Sequence, residues 1–204
     1  MKIIDLTHTF TETMPVFPGD NFPKLKESID AKNDIVHFDI ETSMHVGTHM
    51  DGPLHMIPTG RKLSEINPER FVANGHLLDA RGKIEIGVEL LENKEILKGD
   101  CVLICTGFDK KFRELSFYTD YPDLTEEFAR KLVELGIKFI GLDSPSPDKA
   151  PYNIHRILLK EEILIIEGMN NLEQLLGVEK FEVIALPAKF EAEAAPVRVI
   201  VRIA

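Results

Sequence analysis

Tryptophan is absent from this chain of 204 residues, and cysteine occurs only twice. Both cysteines fall in the run CVLIC, at Cys101 and Cys105. An extended strand puts them on one face about 13 Å apart, at ~3.3 Å per residue, beyond disulfide reach. They are expected as buried free thiols, and the spacing does not favour a metal-binding pair. Positive charge is also short: 24 Lys and Arg stand against 34 Asp and Glu, a formal net charge of −10, with no dense basic stripe carrying interleaved aromatics. That balance argues against nucleic acid as a partner. No run of about 18 apolar residues occurs, and the opening MKIIDLTHTF lacks a long apolar core ending in a small-residue cleavage site. The expectation is a soluble, cytoplasmic protein with no membrane partner. GxGxxG after a strand, GxxxxGK followed by Ser or Thr, and the GxSxG elbow are all missing, which disfavours nucleotide chemistry and that type of serine hydrolase.

What the chain does contain is a series of short β-branched runs: KIIDLT near residue 3, IVHFDIE near 35, CVLICT at 101, KFIGLD at 138, ILIIE at 163, FEVIALP at 181 and VRVIVRI at 197. Helical signals are fewer. One helix is expected over about 124–135, with Asp123 as cap, Glu126 in the capping-box position, Phe128, Leu132 and Leu135 on one face, and Gly136 as terminator. A second is expected from Pro151 through HRILLKEE, and a third over NLEQLL. The length suits one domain over residues 1–204, with no internal repeat. The fold class expected is α/β, a mixed, strand-rich sheet with a few flanking helices. Glycine and proline mark long loops at 14–23, 52–60 and 107–123, where function commonly sits.

The densest chemistry lies in HVGTHMDGPLH, where His45, His49, Asp51 and His55 occupy relative positions 0, 4, 6 and 10. Imidazole and carboxylate are ordinary donors for a divalent ion at about 2.0–2.2 Å. Gly47, Gly52 and Pro53 interrupt the segment, and the Glu of an HExxH helix is absent, so the expected setting is an irregular loop. Met44, Met50 and Met56 are placed to pack behind it. Of the other histidines, His37 and His76 read as sheet residues with hydrogen-bonded rings, and His8, at a strand end, as a pocket-lining candidate. His155 follows the loop GLDSPSPD, and Glu167 closes the apolar run ILII. Periodicity alone reads Glu167 as a solvated strand-end acid.

HVGTHMDGPLH resembles, at every fixed position, the H-x-G-T-H-x-D-x-P-x-H signature of the metal-dependent cyclase-like hydrolases, a group that includes bacterial kynurenine formamidase and isatin hydrolase. IDLTHTF…MPVFPGD, LICTGF, GLDSPSPD and IIEGMNNLEQL…FEVIALPAKFEAEAAPVRVIV resemble further family segments in the same order, so the resemblance covers nearly the whole chain. It implies a swivelling β/β/α-like fold and a site holding one or two divalent ions, Zn or Mn before Fe or Co. It further implies that His45, His49 and Asp51 bind the first metal, that Asp51 bridges to a second completed by His155 and Glu167, and that His55 is the general acid/base. Phe17 would take the substrate-stacking position, where the formamidases carry Trp. The implied activity is hydrolysis of a small amide by activated water, with N-formylkynurenine first and a cyclic amide such as isatin second. A non-catalytic metal-binding module is the alternative of a different class. The implied assembly is a homo-oligomer, dimer or tetramer.

Overall fold

The computed structural model describes residues 1–203, with Leu115 described by its backbone alone. In chain order the strands are β1 (Lys2–Asp5), β2 (Lys24–Asp30), β3 (Ile35–Glu41), β4 (His49–Asp51), β5 (Val72–Asp79), β6 (Glu85–Ile86), β7 (Cys101–Cys105), β8 (Asp123–Leu124), β9 (Phe139–Leu142), β10 (Leu164–Glu167), β11 (Glu182–Pro187) and β12 (Ala194–Ile203). Two α-helices, α1 (Glu126–Leu135) and α2 (Asn153–Lys160), accompany them. Strands outnumber helices, as the β-branched runs predict.

The main sheet closes on itself. Strands β5, β7, β9 and β10 run parallel side by side, and β10 pairs antiparallel with β4. The ring is completed through β4, β12, β11 and back to β5, all antiparallel. Closure depends on the length of β12: its residues 194–196 pair with β4, and residues 200–203 pair along the same edge with β1. The result is a seven-strand mixed, barrel-like sheet with β1 as an outlier. Closing the sheet removes the exposed strand edges that invite aggregation.

Period-2 alternation sorts the side chains to two cores. Cys101, Leu103 and Cys105 of β7 point into the ring with Met50, Phe139, Leu164, Ile166 and Val199. Val102 and Ile104 point outward, where Ile140 and Ile165 meet Phe128 and Leu132 of α1 and Leu158 and Leu159 of α2. Both cysteines are buried free thiols, as expected, and burial pushes Cys105 up to about 12. A large aliphatic or aromatic side chain buried this fully contributes about 1.5–3 kcal/mol. Gly75 is dictated by packing, since a Cβ there would lie 2.1 Å from the ring of Phe181.

Helix α1 ends on Gly136 in the left-handed conformation (φ 67°), as its sequence suggests. Its cap is Thr125 rather than Asp123: the Thr125 hydroxyl accepts the Phe128 N–H at 3.1 Å. Asp123 is unavailable because it belongs to β8, which pairs with β6, and its carboxylate takes Lys149. The third expected helix is a single 3-10 turn at Leu172–Leu175. Strand β2 is not among the runs the sequence marks, β5 is marked only through His76 as a sheet residue, and β4 replaces part of the irregular loop expected around His49.

Candidate metal centre

Strand β4 is only three residues long, yet it positions half of the site. His49 and Asp51 are two residues apart and share a face, while Met50 between them points into the ring core. Across the antiparallel ladder, His49 stands opposite Glu167 and Met50 opposite Ile166. Glu167 therefore joins His49 and Asp51 on the outer face. Helix α2 packs there, and its first turn supplies His155, which shares a helix face with Leu158 and Leu159, three and four residues on. Those two leucines anchor the helix and so fix the imidazole. Glu167 is buried, not solvated as its strand-end position suggests; Asp51 and His155 are buried too.

The approach to β4 needs two glycines. Gly47 (φ +68°) turns the chain, and its carbonyl accepts the His49 Nδ1–H at 2.9 Å. Gly168 (φ +59°) lies against it so closely that a Cβ would come within 2.8 Å of the Gly47 oxygen. Between them the Thr48 hydroxyl donates to the Gly168 carbonyl at 2.6 Å and accepts the His8 N–H at 3.0 Å. Beyond β4, Gly52 and Pro53 lead into a 3-10 turn that ends on His55.

The polar atoms converge on Asp51. Its Oδ1 lies 3.0 Å from His45 Nδ1 and 3.6 Å from His49 Nε2, and its Oδ2 lies 3.8 Å from His155 Nε2. Glu167 bridges the far side, 3.3 Å from His49 Nε2 and 3.2 Å from His155 Nε2. Donor atoms of His45, Asp51 and His55 all lie within 4.8 Å of one another, as do those of His49, Asp51 and Glu167. Despite these distances both Asp51 oxygens, His49 Nε2 and Glu167 Oε1 are buried without a hydrogen bond of proper geometry. Buried polar atoms left so are costly unless something electropositive satisfies them. An N/O donor set aimed at common points, with no thiolate, fits a divalent cation.

Two of the imidazoles are oriented from behind. His49 Nδ1–H is spent on Gly47, and His155 Nδ1 donates to Asp148 Oδ1 at 2.5 Å, leaving each Nε2 to face the centre. Asp148 is itself buried and accepts the Ile154 N–H at 2.6 Å. This carboxylate was not singled out in the sequence. Its one signal is position, an acid just ahead of a helix start, seven residues before a candidate ligand.

Electrostatics follow the same arrangement. Burial by itself lowers both His49 and His155, but the carboxylates outweigh it, with Asp51 and Glu167 raising His49 to about 9, and Asp148, Glu167 and Asp51 raising His155 to about 10. Burial likewise opposes ionisation of Asp51, yet the surrounding histidines hold its carboxyl well below the usual range. A bound cation would supply the positive charge that protons otherwise bring, and those protons would leave as it binds. His55 differs. Burial lowers it, and the charges of His45 and His155 add to that against the pull of Asp51 and Glu167, so it stays neutral near pH 7, as a proton acceptor must.

A cavity of about 270 Å³ opens over this cluster, reached by His45, His49, His55, His155 and Glu167. Its opposite wall is aromatic: Phe17, Phe112, Phe117 and Tyr118, with Phe17 edge-on to Tyr118 at 5.8 Å between ring centroids. The loop 107–123 supplies most of that wall, and the loop 14–23 supplies Phe17. Met56 lines the cavity, while Met50 packs beneath the ligands in the ring core. His8 lies outside it: its ring stacks on Phe112 at 3.6 Å and faces a separate depression with Thr48 and Arg198. His76 is a sheet residue bonded to Asp100 at 2.7 Å, and His37 lies in β3 with an exposed side chain. The structure thus brings His45, His49, Asp51, His55, His155, Glu167 and Phe17 to one place.

The chain as a whole is similar to known proteins. Kynurenine formamidase of Bacillus mycoides (strain KBAB4) is 29% identical over 205 residues, covering 98% of this chain and 96% of that one. Isatin hydrolase A from Labrenzia aggregata, solved with benzyl benzoate, superposes with a TM-score of 0.86 at 25% identity, covering 98% of this chain and 93% of that one. The structure of a predicted metal-dependent hydrolase from Bacillus stearothermophilus gives 0.81 at 27% identity, covering 98% and 97%. A family model described as putative cyclase matches residues 4–149, a span that holds His45, His49, Asp51 and His55, and the chain belongs to that family.

Proposed function

We propose that this protein is a metal-dependent amide hydrolase that cleaves N-formylkynurenine or a closely similar small aromatic formamide. The observation that carries this reading is the convergence of buried, unpartnered Asp51, His49 and Glu167 atoms beneath a cavity with an aromatic wall. Its named relatives among the formamidases and isatin hydrolases support the hydrolytic class. The cytoplasmic setting expected from the sequence belongs to the same proposal. His45, His49 and Asp51 would hold one ion, and Asp51, His155 and Glu167 a second. Bound there, a divalent cation makes water acidic enough to react near neutral pH and polarises the substrate carbonyl.

The chain's own residues do the rest. Phe17 and Tyr118 offer flat apolar faces for the aromatic ring, which turns the amide toward the histidines. His55, neutral and within the ligand cluster, takes the proton of the attacking water as the new C–O bond forms. It returns that proton to the leaving nitrogen as the C–N bond breaks, giving formate and a free amine. The cavity falls below the ~300–1,000 Å³ typical of clefts for drug-sized ligands, which favours a small substrate. It also argues against a purely structural metal, which would be closed off and would leave His55 without work.

A second substrate reading has its own observation. Phe17 lacks the indole N–H of the Trp expected in formamidases, so a ring stacked there receives one hydrogen bond fewer, and a lactam such as isatin is then a competitive substrate. Protein reconstituted with Zn or Mn should be assayed in parallel against N-formylkynurenine, isatin and simple formanilides. Preference for the open-chain formamides supports the first reading and preference for isatin the second. Turnover of none of the three would contradict both.

A further inference from the structure

Among the described residues, the hydroxyl-bearing side chains that line the cavity over the metal centre are Tyr118, Ser146 and Tyr152. Two of these hydroxyls are already engaged. Tyr118 Oη donates to the Pro15 carbonyl at 3.1 Å, and Ser146 Oγ to the Asp148 carbonyl at 2.8 Å. Tyr121, which does not line the cavity, is likewise tied to the Asp148 carbonyl at 3.1 Å. Of the chain's three tyrosines, Tyr152 is the one whose hydroxyl has no hydrogen-bond partner among the described residues. No described lysine or arginine lines the cavity, whose carboxylates are those of Asp20 and Glu167.

The ring that carries this hydroxyl is held in place at a conformational cost. Tyr152 has φ 61° and ψ 45°, left-handed backbone that a bulky side chain rarely adopts. Of the four other non-glycine residues with positive φ, Asp34, Asn93 and Asn171 are of the types that tolerate it. Both backbone groups of Tyr152 are pinned where the chain enters α2: its N–H donates to the Lys149 carbonyl at 2.9 Å, and its carbonyl accepts the Arg156 N–H at 3.3 Å. Its ring meets that of His155 edge-on, with centroids 5.8 Å apart and planes at 90°. A residue forced by its surroundings into a rare conformation is typical of functional sites. Here the result is a phenol held beside one of the candidate ligands.

Amide hydrolysis creates a need for such a donor. As the water's C–O bond forms, the carbonyl π pair moves onto the carbonyl oxygen, which becomes anionic in a cavity that already carries Asp20 and Glu167. Resting on the hydrolytic reading above, we propose that Tyr152 is a further catalytic residue, whose phenol O–H donates a hydrogen bond to that oxygen as its charge develops. The proton stays on Tyr152. When the electron pair returns to carbon, the C–N bond breaks and the nitrogen takes its proton from His55. The target is the scissile carbonyl itself, so Tyr152 serves open-chain formamides and lactams alike.

Tyr152→Phe removes the hydroxyl and keeps the ring, and since that hydroxyl bonds no described protein atom the thermal midpoint should be retained. Wild type and variant, both reconstituted with metal, are compared on N-formylkynurenine, isatin and formanilide. On every substrate that wild type turns over, kcat should fall by about 10²-fold with KM nearly unchanged, because one donor to a developing oxyanion is lost. Calorimetric titration adds a readout apart from turnover. An N-phenyl phosphonamidate, whose tetrahedral anionic centre resembles the attacked carbonyl, should bind the variant roughly 10–10²-fold more weakly, the worth of a hydrogen bond to a charged group, while aniline binds both proteins alike. An active wild type matched by Tyr152→Phe in kcat or in phosphonamidate affinity overturns the role of Tyr152 and leaves the hydrolase reading standing. A loss confined to KM does the same. A wild type that turns over none of the three substrates overturns both.

Discussion

Glu167 stands directly across the β4–β10 ladder from His49, their side chains 3.3 Å apart at the nearest atoms. Backbone pairing alone sets this neighbourhood, so the Glu167 carboxylate belongs to the same cluster as Asp51 although more than a hundred residues separate them. Glu167→Gln keeps the shape and removes the charge. The expected outcome is loss of one metal equivalent at limiting metal, at least a tenfold drop in rate, and partial recovery with excess metal, because the missing contribution is mainly affinity. Elemental analysis beside the assay decides it. Unchanged stoichiometry and full activity would leave a mononuclear site on His45, His49 and Asp51.

Asp148 supports His155 without entering the cavity. Asp148→Asn can still accept the His155 proton but loses its charge, and its amide nitrogen cannot accept the Ile154 N–H that Oδ2 now takes. Metal affinity should fall by roughly 10- to 100-fold, the usual cost of disturbing a partner behind a ligand. The substrate KM at saturating metal should stay put. Equilibrium dialysis with a zinc indicator gives the number, and unaltered affinity would show that Asp148 is only part of the helix start.

Replacing His55 with Ala separates proton transfer from ligation. Turnover should drop by about 10²–10⁴-fold, the worth of a positioned acid/base, with metal content nearly constant. Metal lost in step with activity would make His55 a ligand instead, a role its distance to Asp51 and His45 permits.

His8 bears on stability rather than catalysis. Burial and the nearby Arg113 charge lower it from its ordinary value of 6.5 to about 4, so the folded protein keeps it neutral. As pH falls from 6.5 to 4, the unfolded chain takes up a proton that the folded chain refuses. The stability His8 contributes is therefore present above pH 6.5 and lost as pH drops through that window. His8→Phe preserves the stacking on Phe112 and cannot titrate. Urea midpoints measured at pH 7 and pH 5 should fall further for wild type than for the variant; equal falls would refute the assignment.

Much of this molecule is legible in its sequence, for reasons that differ by element. Strands β7, β9, β10 and β12 are dense in apolar residues because one or both faces are buried, and that density is what the sequence shows. Strand β5, VANGHLLD, shows in the sequence only at His76, because Asn74, Gly75 and His76 break the alternation, each for a tertiary reason: Gly75 admits Phe181, and Asn74 and His76 reach Asp100. Strand β2, KLKESID, hides because its polar alternate positions serve only a two-strand ribbon with β3. His45 to His55 announces a site by composition alone, but whether it lies in loop or strand depends on β10 and β12, which lie far away in sequence. Only the family resemblance marks Glu167 and His155 as ligands, since nothing local distinguishes a buried ligand from a solvated acid at a strand end. Asp148 was missed altogether, because its role exists only once α2 is folded against the sheet.

The central claim is that the buried donors around Asp51 hold a divalent ion that amide hydrolysis requires. Metal-stripped wild type and Asp51→Asn should be dialysed against Zn or Mn, then split for elemental analysis and for formate release from N-formylkynurenine. The wild type should take up at least about one equivalent and gain activity in proportion, while Asp51→Asn, deprived of the carboxylate common to both donor groups, should do neither. Wild type binding less than about a tenth of an equivalent, where three well-placed ligands suffice for a site, or Asp51→Asn matching it in both readouts, would contradict the claim.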